Sequence, residues 1–99
     1  LPFPPELFVS RFAAEVEVPD PVQLRAEEII QWAVAGGSLT GIRPSSIAAG
    51  ALYLAAREAS LGLTQAAIGV VADVTETTIR ASLRRLEGCP AGGLDAGGQ

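Results

Sequence analysis

The chain has 99 residues, 48% of them hydrophobic, and a formal net charge of −4, which is typical of one small folded domain and excludes a second. It contains no histidine and one cysteine, so a disulfide framework, a Cys/His zinc site and a histidine-based catalytic triad are excluded within the chain. The acidic balance argues against unspecific polyanion binding, because counterion release rewards clustered basic side chains.

Two amphipathic helices are predicted before Gly37. In the first, prolines suit the opening turn and apolar residues at helical spacing share one face: Phe8, Val9, Phe12 and Val16. In the second, Asp20 is the predicted N-cap, Pro21 the first helical residue, and Gly36 with Gly37 the stop. Its inner face is predicted to be an apolar stripe: Val22, Ala26, Ile29 and Ala33.

The third predicted helix follows Pro44 and is apolar around its whole circumference over residues 47–56. It should therefore be the central helix, enclosed by the others. This apolar run is about half the length that crosses a bilayer, and the N-terminus lacks the signal-peptide pattern. We expect an all-α domain of five helices over residues 1–87, soluble and intracellular, with a flexible tail over residues 88–99 that holds Cys89.

The last two predicted helices form a helix-turn-helix pattern over residues 64–86. Thr64 and Thr75 are the predicted N-caps. Gly69 is the small residue expected where the two helices cross, and Asp73 is a turn residue that tolerates positive φ. Val74 is the apolar residue expected to fill the space beneath the turn, directly after Asp73. These features are what a DNA-reading motif needs.

The outer face of the last helix is the candidate DNA-reading surface. Steps of 100° place Ile79, Leu83 and Leu86 on its inner face and leave Thr77 and Arg80 outside. Because arginine pairs bidentately with guanine and threonine can meet thymine, Thr77 and Arg80 are the candidate base-reading residues. Ala81 on the same face leaves room for close approach, and Arg84 or Arg85 would more naturally hold phosphate. A surface ion pair with Glu76 would equally account for Arg80.

Three linked motifs give the chain a family resemblance. They are "PSSIAAGALYLA" at residues 44–55, "TQAAI" at residues 64–68 and "VTETTIR" at residues 74–80. In this order they resemble the second cyclin-type repeat of the archaeal transcription factor B and eukaryotic TFIIB family. The earlier "RFA" and the acid-led second helix are similar to the opening of that repeat. The resemblance covers about residues 4–87.

The resemblance implies a five-helix cyclin-like fold that acts with TATA-binding protein on promoter DNA and reaches the RNA polymerase assembly through the full-length factor. It implies that the helix-turn-helix reads the B recognition element upstream of the TATA box. By matching positions, Thr77 and Arg80 would face bases, with Thr75, Glu76 and Arg84 flanking them. Arg43 matches a commonly basic position and suits phosphate or TATA-binding protein, although a solvated loop arginine is an equal interpretation. This sequence departs from the family pattern at Asp73 and at Leu83. The implied location is the archaeal cytoplasm, or the nucleus in a eukaryote.

Two other functions fit parts of the sequence. The acid excess and Asp73 also suit a cyclin-like protein-interaction module that binds a partner helix or peptide without DNA. A bacterial-type regulator would predict homodimerisation and a palindromic site. We expect no enzyme, because no arrangement of residues supports catalysis, and no metal, cofactor or small-molecule substrate is implied.

Overall fold

The computed structural model describes residues 4–37, 39 and 41–88. The described residues form five α-helices and no strand: α1 Pro5–Val16, α2 Asp20–Ala35, α3 Pro44–Glu58, α4 Gln65–Ala72 and α5 Glu76–Leu86. The prediction of an all-α, five-helix fold is confirmed. The predicted tail, including Cys89, lies outside the described residues apart from Gly88. Among the helices described, none has the length and apolar character to cross a membrane.

Helix α3 lies at the centre and contacts each of the other four helices. Over residues 46–56 every residue except Tyr53 is buried. Small residues let the neighbours approach closely: a Cβ built on Gly50 would lie 2.8 Å from the Cβ of Ser82 on α5. The prediction of a central third helix is confirmed, because every side of α3 faces another part of the fold.

The inner faces of α1 and α2 follow the predicted periodicity. On α1, Val9 and Phe12 are buried, and Phe8 and Val16 pack against the core as partly buried residues. On α2 the whole predicted stripe is buried: Val22, Ala26, Ile29 and Ala33. These two helices both pack against α3, and α4 and α5 pack against it as well.

The predicted start of α2 is wrong by one residue. Pro19 is the N-cap, and Asp20 is the first helical residue, without a side-chain cap hydrogen bond. The reason is that the amides of Val22 and Gln23 both donate to the carbonyl oxygen of Pro19, at 3.0 and 3.3 Å. Asp20 instead places its carboxylate in the first turn, where the helix dipole favours negative charge. The predicted stop is confirmed, since α2 ends at Ala35.

Candidate nucleic-acid interface

Two threonine side chains set the starts of α4 and α5. Thr64 Oγ1 accepts a hydrogen bond from the amide of Ala67 at 3.0 Å. Thr75 Oγ1 accepts one from the amide of Thr78 at 3.2 Å. Both predicted N-caps are therefore confirmed, and each satisfies an amide that the first helical turn leaves without a backbone partner.

The turn between α4 and α5 has a left-handed residue and a close backbone approach. Asp73 adopts φ 58° and ψ 47°, as predicted. A Cβ built on Gly69 would lie 2.8 Å from the carbonyl oxygen of Val74, but 3.7 Å from Ile79 Cδ1. The small residue was predicted for the helix crossing; its closest neighbour is the backbone of the turn itself. Gly69 therefore sets how tightly α4 turns into α5.

The two faces of α5 divide as predicted. Ile79, Leu83 and Leu86 are buried. The candidate DNA-contacting residues of α5 and its cap are all exposed: Thr75, Glu76, Thr77, Arg80, Ala81, Arg84 and Arg85. Ser82 is also buried, at the contact with α3. Helix α5 is thus anchored in the core by its buried face and presents its other face to solvent.

Arg80 makes three polar contacts on this outer face. Its Nη1 donates to Gln65 Oε1 at 3.2 Å, and its Nη2 donates to Thr77 Oγ1 at 3.4 Å. The anticipated ion pair with Glu76 is present at 3.8 Å between two half-exposed side chains, a geometry that contributes little stability. The contact with Gln65 was not anticipated, because periodicity along α5 carries no information about a side chain on α4.

Arg43 joins the same face from the loop before α3. A groove of about 470 Å³ runs between the start of α3 and α5, and five of the candidate residues line it: Arg43, Thr77, Ala81, Arg84 and Arg85. A neighbouring groove of about 590 Å³ is lined by Arg43, Asp73 and Thr75 among others. Arg80 and Glu76 lie on the α4 side, where Gln65 meets Arg80. The fold thus brings Arg43 beside the residues of α5.

The charge of the molecule is unevenly distributed. Four of its seven basic residues lie at this face: Arg43, Arg80, Arg84 and Arg85. The other three lie elsewhere and pair with carboxylates, as Arg80 does with Glu76: Arg11 with Glu15 at 3.9 Å, Arg25 with Glu58 at 2.8 Å, and Arg57 with Glu87 at 3.0 Å. Asp73 and Glu76 are the carboxylates next to the turn and at the start of α5. A chain with net charge −4 therefore presents a locally basic surface along α5.

The amino-acid sequence of this chain is similar to those of known proteins. The family model described as "Transcription factor TFIIB repeat" matches residues 2–88. "Transcription initiation factor IIB 5" of Halobacterium salinarum is 44% identical over 89 residues, which cover 87% of this chain and 29% of that protein. "Transcription initiation factor IIB" of Haloarcula vallismortis is 42% identical over 79 residues, covering 80% of this chain and 69% of that protein.

A third relative shows the same relationship in length. "Transcription initiation factor IIB 1" of Halobacterium salinarum is 36% identical over 85 residues, 86% of this chain and 30% of the relative. The chain therefore spans about three tenths of the length of both Halobacterium relatives.

Proposed function

The chain belongs to the TFIIB repeat family, and from this we propose that it is a cyclin-like repeat of a transcription initiation factor that binds promoter DNA. The repeat comprises residues 1–87, and its helix-turn-helix, residues 64–86, enters the major groove upstream of the TATA box. TATA-binding protein and, through the full-length factor, the RNA polymerase assembly are its partners.

The exposed guanidinium of Arg80 is the observation that carries the base-reading proposal. A guanidinium has five N–H donors. The hydrogen bonds to Gln65 and Thr77 use one N–H on each terminal nitrogen, so each of these nitrogens keeps a second N–H. Bidentate contact with guanine O6 and N7 needs two N–H groups that point the same way, and Arg80 has three N–H groups left after these two hydrogen bonds. Arg80 is therefore suited to read a guanine, with Thr77 one turn earlier on the same face.

The remaining cations are suited to hold the DNA backbone. Arg43, Arg84 and Arg85 line the groove of about 470 Å³ between α3 and α5, beside the base-reading face. Ala81 lines the same groove and is small enough for the duplex to approach closely. Phosphate contacts of this kind set orientation without reading sequence. We assign these three arginines to phosphate, with Thr75 and Glu76 flanking the base-reading pair.

The acidic net charge limits the affinity of the isolated repeat. Four arginines at one face supply few counterion-releasing contacts, and carboxylates elsewhere repel the duplex. In a full-length factor, linked contacts by its other regions and by TATA-binding protein would raise the affinity through effective concentration. We therefore expect this chain alone to bind DNA weakly. Its contribution to the full-length factor should lie more in sequence preference than in affinity.

The test is selection of the preferred site by the 99-residue chain from randomised duplexes, followed by titration of Arg80→Ala on that site. We expect the variant to relax preference at one base position and to lose about 1–3 kcal/mol of binding free energy on the selected site.

Arg11→Ala is the matched control. Its ion pair with Glu15 spans 3.9 Å with the arginine side chain 60% exposed, against 3.8 Å and 52% for Arg80 with Glu76. Within the described residues, α1 does not contact α5, so this control changes net charge equally without touching the interface. We expect it to leave base preference unchanged.

Two outcomes would overturn parts of the proposal. An equal loss for Arg80→Ala on every duplex would reduce Arg80 to a phosphate contact. If DNA produced no NMR shifts over residues 75–85, the protein-interaction function, favoured by the exposed carboxylate of Asp73 beside α5, would be supported instead. The same titration with TATA-binding protein on intact and scrambled upstream elements tests whether the two proteins bind together.

A further inference from the structure

We infer that Gln65, the first residue of α4, is a positioning residue that orients the guanidinium of Arg80 before DNA binds. The inference rests on the proposed base-reading role of Arg80 and extends it: specificity would depend on a side chain outside the recognition helix. Its physical basis is one hydrogen bond between two helices that are joined only by a short turn.

The backbone of Gln65 is held in place from both sides. The side chain of Thr64 caps α4 through the amide of Ala67 at 3.0 Å, which sets where the helix begins. Buried Ile68 anchors the same helix in the core. Gln65 is itself half-buried. Its Cα and Cβ atoms are therefore held in a better defined position than those of a residue in a loop. Its Oε1 then lies 3.2 Å from Arg80 Nη1.

The acceptor is neutral, and this matters for an arginine that must meet DNA. The carboxylate of Glu76 attracts Arg80 from 3.8 Å and cancels part of its charge. An amide oxygen orients a guanidinium without cancelling that charge. With Thr77 Oγ1 as the second acceptor at 3.4 Å, the two hydrogen bonds hold opposite terminal nitrogens. They restrict the plane of the guanidinium and leave three of its five N–H groups for DNA.

Preorganisation of this kind raises affinity by reducing the entropy lost on binding. A free arginine side chain is among the costliest to order, and an interface loses affinity for each such side chain it must immobilise. If Gln65 orders Arg80 beforehand, removing the amide should weaken binding to the selected site about three- to tenfold. The loss should disappear on a duplex in which the base read by Arg80 is replaced.

The first arm of the test uses the free 99-residue chain. NMR order of the Arg80 Nε–Hε group should fall in Gln65→Ala and in Gln65→Met, which keeps the length of the side chain but replaces the amide. Gln65→Glu keeps an acceptor oxygen and should keep Arg80 ordered. Gln31→Ala, at an exposed glutamine of α2, is the matched control and should leave the Arg80 signal unchanged. Unchanged order in both Gln65→Ala and Gln65→Met would overturn the inference.

The second arm is a double-mutant cycle on the selected duplex. Gln65→Ala should weaken binding in the wild-type chain and have no further effect in the Arg80→Ala chain. An equal loss in both backgrounds would mean that Gln65 contacts DNA itself and would overturn the positioning role. Gln65→Met is measured in parallel, so the cycle can be completed even if the alanine variant unfolds.

The cycle also separates this inference from the proposed function. If Arg80→Ala relaxes base preference while Gln65→Ala and Gln65→Met bind like the wild type, only the role of Gln65 is overturned. If Arg80→Ala leaves base preference unchanged, the base-reading function fails, and the positioning role fails with it.

Discussion

Gly69 passes so close to the carbonyl oxygen of Val74 that a Cβ atom on it would lie 2.8 Å from that oxygen. The obstacle is backbone, so no rotamer change can relieve it. The contact couples the second half of α4 to the residue that leads into the cap of α5. The position of α5 therefore depends on the absence of one side chain.

Gly69→Ala should lower the free energy of unfolding by about 1–3 kcal/mol, because overpacking of this kind must shift the turn. It should also reduce DNA binding, since α5 moves with the turn. Urea denaturation gives the stability change. Gly62→Ala is the matched control: a Cβ on Gly62 would meet no atom within 4 Å. That variant should be neutral or slightly stabilised, because alanine restricts the unfolded chain. Equal stability of the two variants would contradict the prediction.

Ser82→Ala should raise the free energy of unfolding. Its Oγ is buried without a hydrogen-bond partner in the described structure, and such a group is destabilising relative to an apolar one. Alanine also has a helix propensity better by up to about 0.5 kcal/mol. Ser10→Ala, at an exposed position of α1, isolates the propensity effect. Thermal and urea melting should show the larger gain for Ser82→Ala, and a smaller gain or a loss would count against this account.

Arg25→Met should be destabilising, because Arg25 links α2 to α3. Its Nε and Nη2 donate to the two carboxylate oxygens of Glu58 at 2.8 and 3.3 Å, and its side chain is only 13% exposed. We expect a loss of about 1–3 kcal/mol, since the carboxylate of Glu58 loses a charged partner.

Arg11→Met is the comparison for that measurement. Its contact with Glu15 is a single ion pair on the surface of α1, and its guanidinium carbon also lies 5.7 and 5.1 Å from the ring centroids of Phe8 and Phe12. Exposed contacts of both kinds are weak, so the loss should be about 1 kcal/mol. Denaturation at two salt concentrations would test the difference, because screening acts mainly on the exposed pair. Equal losses for both variants would show that the Arg25 contact is no stronger than a surface pair.

Asp73→Asn should raise DNA affinity about two- to fivefold at low salt on all sequences, because it removes a carboxylate beside the start of α5. Asparagine tolerates the left-handed backbone that Asp73 adopts, so the turn should persist. Glu17→Gln is the control, at an exposed residue with φ 59° that ends α1. Fluorescence anisotropy should show a gain for Asp73→Asn that declines as salt is added. A gain in affinity of the same size for Glu17→Gln would indicate that the change in net charge, and not the position of Asp73, raises the affinity.

The local features of this protein could be predicted from its sequence. Five helices, the caps at Thr64 and Thr75 and the left-handed turn at Asp73 all appear where expected, because each depends on residues within a few positions. The inner and outer faces of α5 followed for the same reason, since a helical period assigns every residue to a side. The base-reading roles of Thr77 and Arg80 stay predictions.

The relations between helices were decided only by the tertiary structure. Arg80 and Gln65 are 15 positions apart, and whether they meet depends on the angle at which α4 crosses α5. Arg43 comes to line a groove with Arg84 only because α3 packs centrally against α5. Even the start of α2 differs by one residue from the prediction, because the amides of Val22 and Gln23 donate to the carbonyl oxygen of Pro19 and not to the side chain of Asp20. Periodicity says which way a side chain points from its own helix; only packing decides which side chain of another helix it meets.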